Sequence, residues 1–186
     1  MLLAIAGPST VGKDAIWLHV ARELGFFPEV PLTTRPRRHS EIDGREYHFV
    51  SLEEFQSMIK NGQLTAWDFV LGNYYGTQLS LTDRVNAGEK VVLQALGRMA
   101  IRLKTQLPNV RTVILQVSDR AVLRRRLEER KFSATEIEGR LRLADEELVH
   151  SSLFDFVVPD ADILTEDEVR RVLLEITTDL EEPILS

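Results

Sequence analysis

The chain has no cysteine. That removes disulfides, thiolate metal centres and cysteine nucleophiles together, and agrees with a reducing, cytoplasmic setting. Long hydrophobic runs are missing too. No stretch approaches the ~20 apolar residues of a membrane span, and Met1–Ala6 lacks the length and basic flank of a secretory leader. Positive charge is in deficit, with 23 Lys and Arg against 29 Asp and Glu and a net charge of −6, which argues against a general nucleic-acid surface. The only four histidines, His19, His39, His48 and His150, share no metal-ligand spacing and no hydroxyl-plus-acid setting, so histidine chemistry is not expected. There is no internal repeat and no low-complexity linker.

What the chain does have is alternation. With 186 residues and 44% hydrophobic content it suffices for one α/β domain with small appended pieces. Strand-like runs at Leu2–Ala6, Lys90–Leu96, Arg111–Val117 and Asp155–Val158 are each followed by a helix-competent segment, the pattern of parallel strands with crossover helices. Ser51-Leu-Glu-Glu54 reads as a capping box opening a helix that stops at Gly62. Further helices are expected over Leu79–Ala87, from Ser118-Asp119, from Ser133-Ala-Thr-Glu136 to about His150, and from about Thr165 to Leu180. Trp17 and Trp67 are read as core residues. The interval Thr33–Gly88 breaks the alternation and is irregular and strand-rich. An insertion after a first βα unit lands beside the carboxyl ends of the strands, where a second substrate can bind.

The first βα unit carries the strongest local signal. Gly7-Pro-Ser-Thr-Val-Gly12-Lys13 spells G-x-x-x-x-G-K between an apolar strand and an apolar-periodic helix (Ala15, Ile16, Leu18, Ala21, Leu24). In that context backbone N–H groups and the helix N-terminus face phosphate oxygens and the lysine adds a cation. Gly7, Pro8, Ser9, Thr10, Val11, Gly12, Lys13 and Asp14 are therefore expected around the phosphates of a nucleotide. Asp14 stands where a magnesium-binding hydroxyl is usual.

Arginine is concentrated at Arg35, Arg37 and Arg38 and at Arg124, Arg125, Arg126 and Arg130, as small anionic ligands or a solvated helix face would require. Arg124 and Arg125 are read as helix surface. Tyr74 and Tyr75 are adjacent, and in an extended segment only one of them can face a ligand.

Together these residues resemble the guanylate kinase family. The likeness rests on Gly7–Lys13, Thr33-Thr-Arg35 with Arg38, Asp43-Gly-x-x-Tyr47-x-Phe49, Gly72-Asn-Tyr-Tyr-Gly76-Thr77, and Arg126-x-x-x-Arg130 followed by Arg140. It implies an α/β phosphate-loop NTPase-type fold in three layers, with a parallel central sheet, a small mixed acceptor-binding insert and a short helical lid. One domain is expected over 1–186, with core 1–32 and 89–186, insert 33–88 and lid about 126–142. It also implies transfer of the γ-phosphoryl group of ATP, with Mg²⁺, to a small phosphorylated acceptor. Neither a nucleic acid nor a membrane is an expected partner, and the assembly is a monomer or a homodimer.

Carried onto this sequence, the resemblance makes Arg35, Arg38, Tyr47 and Tyr75 ligands of the acceptor phosphate. Guanidinium and phenol groups suit a phosphate dianion through charge-assisted hydrogen bonds. It makes Lys13, Arg126, Arg130 and Arg140 catalytic; donors over the transferring group stabilise charge on its equatorial oxygens.

The departures fall elsewhere. The family's base-reading hydroxyl and glutamate are replaced by Pro31 and Ala66, and its two strand-end aspartates by Gln94 and Leu96. Asp68 or Gln78 is a candidate substitute for the lost base contacts. A base site that loses its partners forfeits about 1–3 kcal/mol per group, so altered base selectivity is expected. Gly12-Lys13-Asp14, Leu115-Gln-Val-Ser118 and Leu123-Arg-x-Arg-Leu-Glu128 also resemble the ribose 1,5-bisphosphate kinases of phosphonate breakdown, which keeps a phosphosugar acceptor open as an alternative to GMP. Asp14 is a candidate for positioning Mg²⁺ in place of the missing aspartates. Some guanylate kinase-like domains are binding modules without catalysis, but these usually lose the phosphate loop and lid arginines that this chain keeps.

Overall fold

Alternate side chains of a strand leave on opposite faces, and the first strand shows what that does here. In β1 (Leu2–Ala6) all five side chains are buried. Leu2, Ala4 and Ala6 join one apolar cluster, and Leu3 and Ile5 join another. A strand buried on both faces needs a layer on each side, so the chain folds into three layers. The coordinates are a computed structural model describing residues 1–178 except Ser9 and Gly12, and not the side chains of Asp14 and Ala15.

The central sheet has five parallel strands in the order β2 (Phe27–Pro28), β7 (Val91–Gln94), β1, β8 (Val110–Leu115), β9 (Phe156–Val158). One face is covered by α3 (Ser80–Asn86) and α4 (Gly97–Gln106) through Leu81, Val85, Met99, Ala100 and Leu103. The other is covered by α1 (Leu18–Glu23) and α7 (Glu166–Thr178) through Val20, Ala21, Val169, Leu173 and Ile176. Trp17 is core, 1% exposed, whereas Trp67 is half-buried beneath the Arg102 guanidinium.

A second, mixed sheet is ordered β4 (His48–Phe49), β3 (Leu32–Thr33), β6 (Asn73–Gln78), β5 (Leu64–Val70), with α2 (Leu52–Lys60) above it. Leu71 and Gly72, both at positive φ, make the tight turn between β5 and β6, as a two-residue hairpin requires. The helices α5 (Arg120–Glu129) and α6 (Ala134–Val149) close on each other through Leu123, Leu127, Ile137 and Leu141. Capping boxes at Ser51/Glu54 and Ser133/Glu136 and the Asp119 cap start α2, α6 and α5 where their sequences predict. The expected last helix is seen over Glu166–Thr178, and its proposed end at Leu180 lies outside the described residues. Among the described residues no helix is long and apolar enough to cross a membrane.

Candidate active site

In the central sheet β1 lies between β7 and β8, and a crevice opens outside the carboxyl ends of strands at such a position. The chain leaving β1 enters it. Gly7 holds φ 143° and Thr10 holds φ 74°, and Lys13 opens a wide π turn, Lys13–Trp17, that runs into α1. Single π turns occur where a helix serves a site. Lys13 is buried, and its Nζ donates to the carbonyls of Gly7 at 2.6 Å and Pro8 at 2.9 Å. Of the residues expected around ATP, Ser9, Gly12 and the side chain of Asp14 lie outside the described residues. Val11 is buried in the core cluster behind the loop.

The segment after β3 faces this loop. Glu41, 8% exposed, organises it. Its carboxylate accepts from Arg35 Nη2 at 2.7 Å and from the Arg38 backbone N–H at 2.8 Å, and its carbonyl accepts from Arg37 Nη1 at 2.6 Å. Burial works against the Glu41 charge, but these donors win and hold its carboxyl below the usual range. Burial likewise opposes the charge on Arg35, and the Glu41 bond outweighs it, raising the Arg35 pKa. The Arg35 guanidinium carbon lies 5.5 Å from the Tyr47 ring centre, and Tyr47 meets Tyr75 edge-on at 5.9 Å. Strand periodicity separates the tyrosine pair. Tyr75 lines the cleft, while Tyr74 stacks on Phe55 at 5.2 Å.

The third wall comes from α5, α6 and the loop between them. Arg130, Phe132 and Arg140 line the cleft. Burial first, and then the nearby Arg38 and Arg35, lower the Arg140 pKa from its ordinary value. That is the signature of guanidinium groups gathered for an anion. Arg126 is not brought to the cleft lining. Its Nη1 donates to the Thr10 carbonyl at 3.3 Å, and its Nη2 pairs at 3.2 Å with the fully buried Asp162 carboxylate. Arg126 and Arg130 share a helix face, but four residues is ~6 Å of axial rise, so the two reach different partners. Arg124 and Arg125 pair on the surface with Glu138 and Glu129.

The result is a cleft of about 250 Å³. Arg35, Arg38, Tyr47, Tyr75, Arg130 and Arg140 line it together with Gly7, Pro8, Thr10 and Lys13. Beside this polar arc the lining is apolar: Pro31, Val70, Leu71, Leu96, Met99 and Leu143. The lining residues that are not among the sequence candidates include Glu41, Phe132 and Glu147. Glu147 had a signal, because it stands seven residues after the candidate Arg140 on the cleft-facing stripe of α6 that Leu143 and Ala144 share. Phe132 lies in a loop and carries no periodicity.

A family model described as guanylate kinase matches residues 1–176. A guanylate kinase from Gloeobacter violaceus is 40% identical over 178 residues, covering 94% of this chain and 87% of that protein. One from Lactococcus lactis is 34% identical over 177 residues, with 93% and 86% covered. The chain belongs to the guanylate kinase family. It is an ATP-dependent kinase of the guanylate kinase type. The crystal structure of guanylate kinase from Anaplasma phagocytophilum shares the fold, with a TM-score of 0.76 at 24% identity over 98% of this chain and 87% of that one. The phosphosugar kinase likeness has no counterpart among these relatives.

Against the guanylate kinase pattern, the departures are where the cleft turns apolar. Pro31 and Leu96 line that wall, and Gln94 lines the cleft nearer the loop. Ala66 is buried in register with Thr77, whose hydroxyl oxygen is buried and has no hydrogen-bond partner among the described residues. In the structure Asp68 is engaged away from the cleft. It accepts from Arg98 Nε and from the Phe69 N–H, both at 2.9 Å, and does not line the cleft. Gln78 does not line it either.

Proposed function

We propose that the protein transfers the γ-phosphoryl group of ATP to the phosphate of GMP, and that it reads the acceptor mainly by that phosphate. One observation carries this reading: Arg35, Arg38, Tyr47 and Tyr75 face Lys13 and the phosphate loop across a single cleft, with Arg130 and Arg140 in the same lining. Two phosphates seated on the two sides meet among the arginines. The acceptor ligands hold the attacking oxygen in place, which removes much of the entropic part of the barrier. Lys13 holds the donor phosphates, and Arg130 and Arg140 stabilise charge spreading over the transferring group. No enzyme nucleophile is needed. In this reading residues 1–32 and 89–186 are the core, 33–88 the acceptor insert and about 126–142 the lid, and the enzyme works in the cytoplasm.

Mg²⁺ bound with ATP would supply neutralisation of the phosphate charge. Of the described carboxylates lining the cleft, Glu41 and Glu46 have both oxygens engaged. One Glu147 oxygen accepts from the Gly97 N–H at 3.0 Å, and the other is buried and has no hydrogen-bond partner among the described residues. That orphaned oxygen fits the outer waters of a hydrated ion. Asp14 is the second candidate.

Burial raises the Glu147 pKa, against the pull of Lys13 and of the Gly97 N–H. An acid whose pKa rises on folding costs stability as pH climbs from its unfolded to its folded value. Glu147→Gln is therefore expected to melt no lower than the parent at about pH 8 and to lose that relative gain at about pH 4. Melting curves across that range check it, and a variant destabilised most at high pH would contradict it.

The function is tested by coupled ADP release with GMP, IMP, AMP and ribose 1,5-bisphosphate as acceptors. GMP is expected to stimulate release. A site that hydrogen-bonds its base rejects an unmatched one by about 10⁴-fold, whereas the apolar wall predicts a GMP-to-AMP ratio of kcat/KM below about 10². A ratio near the larger value would remove the phosphate-led reading. Ribose 1,5-bisphosphate outrunning GMP would replace the acceptor, and silence with every acceptor would sink the proposal.

A further inference from the structure

We infer that Phe132 is a positioning residue that seats Arg38 of the acceptor segment and Arg140 of α6 on one aromatic ring, joining the two parts of the protein that meet over the transferring phosphate. The loop that carries it turns at Lys131, which holds φ 58°, and the side chain that follows is apolar in a cleft lined by arginines. The guanidinium carbons lie 4.2 Å (Arg140) and 5.4 Å (Arg38) from the ring centre. Both are within the range where the ring quadrupole attracts a cation.

Arg38 and Arg140 are like charges on separate elements, and each works to push the other away. The lowered Arg140 pKa has Arg38 among its causes, after burial. Glu41, 3.6 Å from the Arg38 guanidinium, and Glu136 offset part of that repulsion by charge, and a ring attractive to both guanidinium groups adds to this without occupying their hydrogen-bond donors. A second contact joins the same two parts seven residues further along. A Cβ added to Gly139 of α6 would sit 3.0 Å from Leu71 Cδ2, so the turn between β5 and β6 rests closely against α6 through the end of the Leu71 side chain. Two separate contacts between the same two parts, through the neighbouring Gly139 and Arg140 of α6, restrict their relative orientation more than one alone.

The absence of cysteine makes the test direct. Cysteines placed at the exposed Gln56 of α2 and Thr135 of α6 take spin labels, and double electron–electron resonance reads the distance between them without any ligand. The parent is expected to give one narrow distribution. Phe132→Leu should shift it to longer, broader distances, and Phe132→Tyr should restore it. In turnover, Phe132→Leu should lower kcat about tenfold. Its dissociation constant for ATP, measured by calorimetry, should stay within about twofold, because the phosphate loop is untouched. Phe132→Tyr should recover kcat. An unchanged distribution in Phe132→Leu overturns the inference, as does a shifted distribution with unchanged kcat. Equal broadening in both variants with equal losses of melting temperature assigns the ring to packing alone and overturns it as well. The kinetic arm rests on the proposed function, whereas the distance measurement does not, so failure of the acceptor assay leaves the inference standing on its own readout.

Discussion

Lys13→Met will lower kcat/KM about a thousandfold, which is ~4 kcal/mol of transition-state stabilisation. The lysine is 7% exposed and folded back on its own loop, its ammonium donating to the carbonyls of Gly7 and Pro8. A donor held that way is aimed before the substrate arrives and needs little reorganisation when charge develops. Methionine keeps an unbranched apolar stem of similar length, so the surroundings of the buried stem stay filled. The charge and its donors are what disappear. The two carbonyls lose a partner, which adds about 1–3 kcal/mol of instability, so melting temperature should fall modestly beside the kinetic loss. Steady-state kinetics with calorimetry of ATP binding separates ground-state from transition-state effects. A variant within tenfold of the parent would mean that Lys13 holds the loop and not the phosphate.

Gly7→Ala is the second large effect, and here the fold suffers with the site. The residue holds φ 143°, and an added Cβ would stand 2.7 Å from the Leu115 carbonyl oxygen and 3.0 Å from Leu115 Cβ. Those atoms cannot retreat. Leu115 ends β8, which is paired with β1 on one side and β9 on the other. The loop must give way, and with it the carbonyl that Lys13 grips. We expect a loss of about 2–4 kcal/mol in stability and ATP binding weakened at least a hundredfold. Gly88 is the control. It also holds positive φ, at 84°, yet an added Cβ meets nothing within 4 Å, so Gly88→Ala carries the backbone strain alone, about 1 kcal/mol. Denaturant melts of the two variants compare strain with collision. Equal losses would show that the approach to Leu115 is not what selects glycine at position 7.

How much of this was legible beforehand depends on the length scale of each signal. The strands β1, β7, β8 and β9 were legible because a short apolar run between turn residues has few other uses in an α/β chain. Their ends were not, since Lys90 and Leu96 flank β7 without joining it. The strand β2 was hidden. It is two residues long, one of them Pro28, and both are exposed, so it exists only because β7 pairs with its edge. The π turn at Lys13 was invisible for a related reason: apolar spacing in the next turn looks the same whether the helix opens wide or narrow. Within the site, residues whose chemistry is local, such as Lys13 and the arginines, declared themselves by type and spacing. Phe132 and Leu71 did not, because each acquires its role from a distant residue of another element, Arg38 and Gly139, and Glu147 was marked only by its helical spacing from Arg140. Arg126 shows the converse. Its spacing to Arg130 was informative, but its partners, the Thr10 carbonyl and Asp162, were not written beside it.

That last contact has a mechanical consequence. Asp162 follows β9 and also accepts from the Ser118 N–H at 2.7 Å, just before α5. Arg126 therefore bolts the middle of α5 to the phosphate loop and to the far edge of the central sheet at once. Were the proposed lid segment to swing, this contact would sit near its root, with Arg130, Phe132 and Arg140 beyond it. A shift of the loop at Thr10 when a donor nucleotide binds would be passed through Arg126 to α5, so one guanidinium couples the phosphate loop to the helix that leads into the opposite wall of the cleft.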